Sequence, residues 1–174
     1  MSLEFDIHIG FQEELNLPKM ERVAVRAIIM RNQEILLLSS NRGDYKLPGG
    51  GVKNEEDFEK ALEREVKEET GYCKLGGTRK IGIVKEKKLD DFDKNRVFEM
   101  TSHYYECDVI GEKEAQELDV YEAELGFIPK WVNINKAIEL NEKYIENHPD
   151  KPGWAKRENL VFKIIRDIRC GLNE

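Results

Sequence analysis

The chain has 174 residues, a length that suits a single domain with a sizeable core. Hydrophobic residues make up 40% and charged residues 36% with the signs nearly balanced, which excludes a disordered tail-like chain and leaves a globular one. A formal net charge of −7 argues against a nucleic-acid polymer or an anionic membrane as partner, while a small phosphorylated ligand carried with a divalent metal stays compatible.

The first twenty residues carry Glu4, Asp6, Glu13 and Glu14 and lack the apolar core of a secretory signal. Within them "LEFDIHIGF" has the composition of a strand, one that would pair with its own domain or with a neighbouring subunit in a homodimer. "VAVRAIIM" (Val23–Met30), "RNQ" and "EILLLSS" (Glu34–Ser40) then predict two strands joined by a short hairpin turn. Val23, Val25, Ala27 and Ile29 share one face of the first strand, and Arg26 points to the other. "NRGDYKLPGG" reads as a loop from its Gly, Asp and Pro content. A helix is expected from about Asn54, as N-cap, to Thr70, with Gly71 ending it at C′.

Two long strands follow, "RKIGIVKEKKL" and "RVFEMTSHYYECDVI", joined by the charged loop "DDFDKN". "GEKEAQELDVYEAE" is polar and is expected to be irregular or mobile. "LGFIPKWVNI" predicts a last strand, with Pro129 indicating an edge or a bulge. "NKAIELNEKYIENH" and "AKRENLVFKIIRDIRC" have helical periodicity, the second with Leu160, Ile164, Ile165 and Ile168 as its apolar stripe; "HPDKPGW" links them. The interleaving of strands and helices predicts an α/β fold, a mixed sheet flanked by helices, in one domain over 1–174. That domain has an N-terminal extension over 1–20 and C-terminal helices over 134–174. Cys73, Cys107 and Cys170 are odd in number and widely spaced, which fits no disulfide framework or thiolate metal site and suits a reducing compartment. No stretch is long enough to span a bilayer. A soluble cytoplasmic protein is the expectation.

Chemistry concentrates in "LPGGGVKNEEDFEKALEREVKEETGY" (Leu47–Tyr72). At ~100° per residue, Phe58, Ala61, Leu62 and Val66 form the buried stripe of its helix, and Glu65 and Glu69 fall inside that stripe with Glu68 beside it. The other acids lie elsewhere around the wheel and read as caps and solvated charges. Carboxylates in an apolar stripe, at the helix end whose dipole favours cations, are costly unless a cation or an arginine neutralises them. An oxygen-only cluster of this kind suits hard Mg²⁺ or Mn²⁺.

The same stretch resembles the Nudix box, G-x5-E-x7-R-E-U-x-E-E-x-G-U with U a bulky aliphatic residue. Gly50, Glu56, Arg64, Glu65, Val66, Glu68, Glu69 and Gly71 stand at the required spacing, and only Tyr72 departs, at the last position. The preceding "KLPGG" is also similar to the family's usual entry to the box, which here occupies 50–72. The resemblance implies an α/β/α sandwich and a MutT-like hydrolase that cleaves a diphosphate joined to another group. It implies that Glu65, Glu68 and Glu69 are the metal-binding and catalytic set, with the Gly50 carbonyl as a further ligand. Arg64 would hold the glutamates, and Glu56 would be structural. Mg²⁺ or Mn²⁺ would be the cofactor, with Glu65 as the favoured base. An additional carboxylate is expected from Glu122 or Glu124, shortly before the last strand. Arg26 and Lys46 are candidates to contact phosphate, with Arg42, Arg79 and Lys53 behind them; Tyr45 and Tyr104 are candidates to stack on a base.

Secondary motifs of the family narrow the substrate only by absence. No proline lies between Tyr72 and Ile128, as ADP-ribose pyrophosphatases of the family carry, and "VKEKKLDD" lacks the tyrosine associated with diadenosine polyphosphates. A nucleoside triphosphate or a related nucleoside diphosphate compound is the default. Two alternatives are a non-catalytic nucleotide-sensing module, which commonly loses box glutamates, and an isopentenyl diphosphate isomerase type, whose cysteine and histidine set is not evident here.

Overall fold

The computed structural model describes residues 4–150 and 153–171. Residues 1–3 of the N-terminal extension, positions 151 and 152 of the linker between the last helices, and the tail 172–174 lie outside the described residues.

Strand β1 (Phe5–Gly10) is followed by β2 (Lys19–Ile28), β3 (Met30–Arg31), β4 (Glu34–Ser39) and β5 (Tyr45–Lys46). Then come α1 (Phe58–Thr70), β6 (Tyr72–Leu89), β7 (Val97–Lys113), α2 (Val120–Glu124), β8 (Ile128–Asn133), α3 (Ile134–Asn147) and α4 (Ala155–Arg169). One sheet has the order β1-β6-β7-β2, with β1 parallel to β6, β6 antiparallel to β7, and β7 parallel to β2. In the second, β4 pairs antiparallel with β3, β5 and β8. The expected pairing of Val23–Met30 with Glu34–Ser40 is therefore only a short end of the story. Residues up to Ile28 run beside β7, and only Met30 and Arg31 turn back on β4, through Asn32 at φ 57. The chain passes from one sheet to the other at Ile29.

The alternation of the strands separates two cores. Val25, Ala27 and Ile29 on β2, Leu36 on β4, and Tyr105 and Cys107 on β7 pack with Ala61, Leu62 and Val66 of α1. Ile28, Ile35, Leu37 and Tyr104, one residue out of phase, pack with Ile134, Ala137 and Ile138 of α3 and Val161, Phe162 and Ile165 of α4. Helices thus cover both faces, the α/β/α sandwich that the sequence implies. β1 joins its own domain by pairing with β6, and β8 is an edge strand, so Pro129 sits where its missing donor is tolerated.

Four local expectations are corrected. The α1 N-cap is Asp57, whose carboxylate accepts from the N–H groups of Glu59 and Lys60, and not Asn54. Glu55 at φ 59 turns the chain before the helix can start. The stripe of α4 is Ala155, Val161, Phe162 and Ile165; Leu160 is exposed, and Ile164 and Ile168 flank the core. Residues 111–124 are irregular only over 114–119: β7 runs to Lys113, and α2 is closed by a capping box between Asp119 and Glu122. Val23 is exposed and does not share the buried face of Val25 and Ala27. Among the described residues no helix is long and apolar enough to cross a membrane.

Candidate functional site

Residues Pro48–Val52 are laid along the free edge of β2. Ala27 N–H donates to the Pro48 carbonyl, Val25 N–H to that of Gly50, and Val52 N–H to that of Val23. Two glycines make this approach possible. Gly49 has φ 137 and any Cβ there would run into the Val25 carbonyl; a Cβ on Gly50 would overlap the Glu65 carboxylate. The loop is pressed between a strand edge and the acidic face of α1.

On α1, Glu69 is fully buried and Glu65 nearly so, as their place in the apolar stripe predicts. Glu69 Oε2 accepts from Gly49 N–H at 2.6 Å, and Oε1 from Lys46 Nζ at 2.6 Å. The Gly49 carbonyl accepts in turn from Lys46 Nζ at 3.3 Å and from the Arg26 guanidinium. Burial pushes the Glu69 carboxyl up to about 7, against the pull of Lys46 and the Gly49 N–H, with the nearby Glu122 charge adding to the rise.

Arg64 organises the other acids. Its Nε and Nη2 hold both oxygens of Glu56 at 2.8 and 2.9 Å. Nη2 also donates to the Gly51 carbonyl at 3.1 Å, and Nη1 donates to Glu65 at 2.6 Å and Glu68 at 3.2 Å. These Arg64 bonds, with the Lys53 N–H, pull the Glu56 carboxyl down to about 2.

Glu65, Glu69 and Glu122 each offer an oxygen, and the three oxygens lie within 4.8 Å of one another. Glu122 is brought there from outside the helix. Its segment is fastened to the end of α1 by Glu117 N–H to the Glu68 carbonyl at 2.8 Å. The Gln116 side chain adds to this by donating to the Glu69 carbonyl at 2.6 Å and the Phe127 carbonyl at 3.0 Å. Glu68 stands beside this trio, partly exposed and tied to Arg64. Glu124 is exposed, and its backbone carbonyl accepts from the Asn41 side chain. A carboxylate trio on a half-dry surface fits a hard divalent cation by the chemistry of its donors.

Glu122 also borders a cleft of ≈ 280 Å³. Its cations are Arg22, Arg26, Lys46 and Arg157; its aromatic side chains are Phe98, Tyr121, Phe127 and Trp154. Phe127 and Trp154 meet edge to face at 6.0 Å, and the Arg42 guanidinium lies 5.8 Å over the Trp154 ring. Arg26 and Lys46 are thus in the cleft, as expected. Tyr45 is not: its side chain packs on the core under α3, and its backbone exchanges hydrogen bonds with Asn141. Tyr104 is fully buried, Arg79 pairs with Glu106 at the surface, and Lys53 contributes its backbone N–H to Glu56. Arg22, Arg157 and the aromatic set escaped the sequence reading. Glu158, at the centre of the true α4 stripe, carries the signal that exposed Glu65 and Glu69 and points to its neighbour Arg157.

The sequence profile of the NUDIX domain matches residues 20–152. "Putative nudix hydrolase 1" of Caenorhabditis elegans is 40% identical over 75 aligned positions, in a match that covers 38% of this chain and 20% of that protein. The chain thus spans about a fifth of the length of this curated relative. A NUDIX hydrolase from Nitrosomonas europaea superposes with a TM-score of 0.55 over 87% of this chain and 90% of its own, at 20% identity. The MutT NUDIX hydrolase of Burkholderia pseudomallei gives 0.48 over 67% and 85%, at 21% identity.

Proposed function

Since the chain belongs to the Nudix family, we propose that it is a metal-dependent pyrophosphohydrolase that cleaves the diphosphate of a nucleotide, a nucleoside triphosphate or a related nucleoside diphosphate compound. One observation carries this reading: Glu122, which completes a carboxylate trio with Glu65 and Glu69 of a separate segment, also lines a cleft that holds four cationic and four aromatic side chains. Glu65, Glu69 and Glu122, with Glu68 and the Gly50 carbonyl beside them, would hold Mg²⁺ or Mn²⁺. Such an ion, when bound, neutralises diphosphate charge and acidifies water.

The protein's own groups supply the rest. Arg22, Arg26 and Arg157 line the cleft with Glu122 and match the charge of phosphate oxygens. Trp154, Tyr121 and Phe98 line the same cleft and would be the side chains a base packs against. Arg64 fixes the orientation of Glu65 and Glu68 and so the direction in which Glu65 would accept a proton from the attacking water. Glu69 is oriented from two sides by Lys46 and the Gly49 N–H, which sets one oxygen toward the loop.

The test is hydrolysis of a panel of nucleoside di- and triphosphate compounds by purified protein with Mg²⁺ or Mn²⁺. At least one should be cleaved, and Glu68→Gln or Glu69→Gln should lower turnover by roughly 10²-fold or more with the fold intact by circular dichroism. A double variant as active as the wild type would show the metal site to be misassigned.

A further inference from the structure

Arg157 and Glu158 are adjacent at the start of α4, and both are buried, at 4% and 0% exposure. At ~100° per residue, Glu158 stands in the middle of the stripe formed by Ala155, Val161, Phe162 and Ile165. An apolar residue would pack there without the cost of desolvating a carboxylate, so core stability does not account for it.

The carboxylate works in two directions. Glu158 Oε2 accepts from the Leu47 N–H at 2.8 Å. Leu47 is the residue between Lys46 and Pro48, where the chain enters the glycine loop. Glu158 Oε1 accepts from Arg157 Nη2 at 2.9 Å and Nε at 3.2 Å. Arg157 Nη1 reaches across to Glu86 of β6 at 2.7 Å, while the same residue lines the cleft that Glu122 borders. A guanidinium gripped by two carboxylates has little rotamer freedom left, and a loop held at Leu47 presents Lys46, Gly49 and Gly50 in a fixed order.

We propose that Glu158 is a positioning residue for the hydrolysis described above, on which reading this inference rests. It aims the Arg157 cation at the substrate's diphosphate and anchors the glycine loop that orients Glu69. One buried carboxylate outside the box thereby sets both the cationic and the acidic side of the cleft. Arg157 is the group that meets phosphate, and Glu158 acts through it and through Leu47.

Glu158→Gln keeps an acceptor for the Leu47 N–H and removes the charge that holds Arg157; Arg157→Gln removes the cation. Each should lower kcat/KM roughly tenfold or more, and the double variant should fall no further than the weaker single, because the two act as a unit. Glu158→Asp should recover part of the loss. Inorganic pyrophosphate with Mg²⁺, titrated calorimetrically, should bind roughly tenfold more weakly to both single variants.

Lower thermal stability with unchanged kcat/KM and unchanged pyrophosphate affinity would make Glu158 structural and overturn the proposal, as would losses that multiply in the double variant. Should Glu158→Gln not fold, Arg157→Lys decides: it keeps the charge and loses the fork, so wild-type pyrophosphate affinity in it overturns the positioning role. Weakened pyrophosphate binding without any cleaved substrate would sink the hydrolase reading and leave Glu158 positioning Arg157 for diphosphate binding alone. Cleavage by a wild type that the variants match would do the reverse, and a wild type that neither binds pyrophosphate nor cleaves would end both.

Discussion

Arg64 makes five hydrogen bonds to four different residues, and its bidentate partner Glu56 lies in the turn that precedes α1. Glu56 takes no place in the acid trio. Its carboxyl is held at about 2, below the usual 4.5, chiefly by Arg64. A depressed acid contributes stability that is fully present above its ordinary range and is lost as pH falls through the folded-state value. The wild type should therefore be more stable than Glu56→Gln at neutral pH, and the gap in melting temperature should close between about pH 4.5 and pH 2. Thermal unfolding of both proteins across that range measures it, and a constant gap would show that Arg64 does not stabilise the ionised form.

At the scale of elements, α1 and α4 explain what sequence can and cannot show. The α1 stripe was readable because Phe58, Leu62 and Val66 recur cleanly, so Glu65 and Glu69 stood out as acids on an apolar face. In α4, Leu160, Ile164, Ile165 and Ile168 make an equally regular pattern, of which Ile165 alone belongs to the buried face. The buried face lies one step round the helix, at Val161, Phe162 and Ile165. With the stripe misplaced, neither Glu158 nor Arg157 stood out. The aromatic residues of the cleft come from β7, α2, β8's approach and α4, and no local spacing unites them. The start of α1 offers a direct check on the corrected boundary. Asp57→Ala should destabilise the protein by about 1 kcal/mol, while Asn54→Ala should stay within about 0.5 kcal/mol, since only Asp57 caps the helix. Urea denaturation of the two variants compares them.

For the whole molecule, alternation marked Val25, Ala27 and Ile29 of β2 as one face, while the second core on the opposite face came only with the fold. The transfer of the chain from one sheet to the other at Ile29 left no trace in that alternation. A hairpin and a sheet crossing have the same hydrophobic pattern and differ only in what lies alongside. Protection should follow from that arrangement. Amide exchange read by mass spectrometry should be slowest in β7, which has β6 and β2 on its flanks, and in β4, which pairs on both edges. β1, an edge strand held only by β6, and the 90–96 loop should exchange much sooner. Early exchange in β7 would contradict the sheet order.

The Gln116 amide donates to the carbonyl that ends one helix and to the carbonyl that precedes β8. It works as a clasp between the fixed part of the proposed metal site and its detachable part. Glu65 and Glu69 are committed by the helix that carries them, whereas Glu122 is committed only while this clasp and its neighbouring backbone bonds are closed. The grip on a cation can therefore drift between related chains through changes in a polar segment that no box pattern records, with every glutamate of the box left untouched.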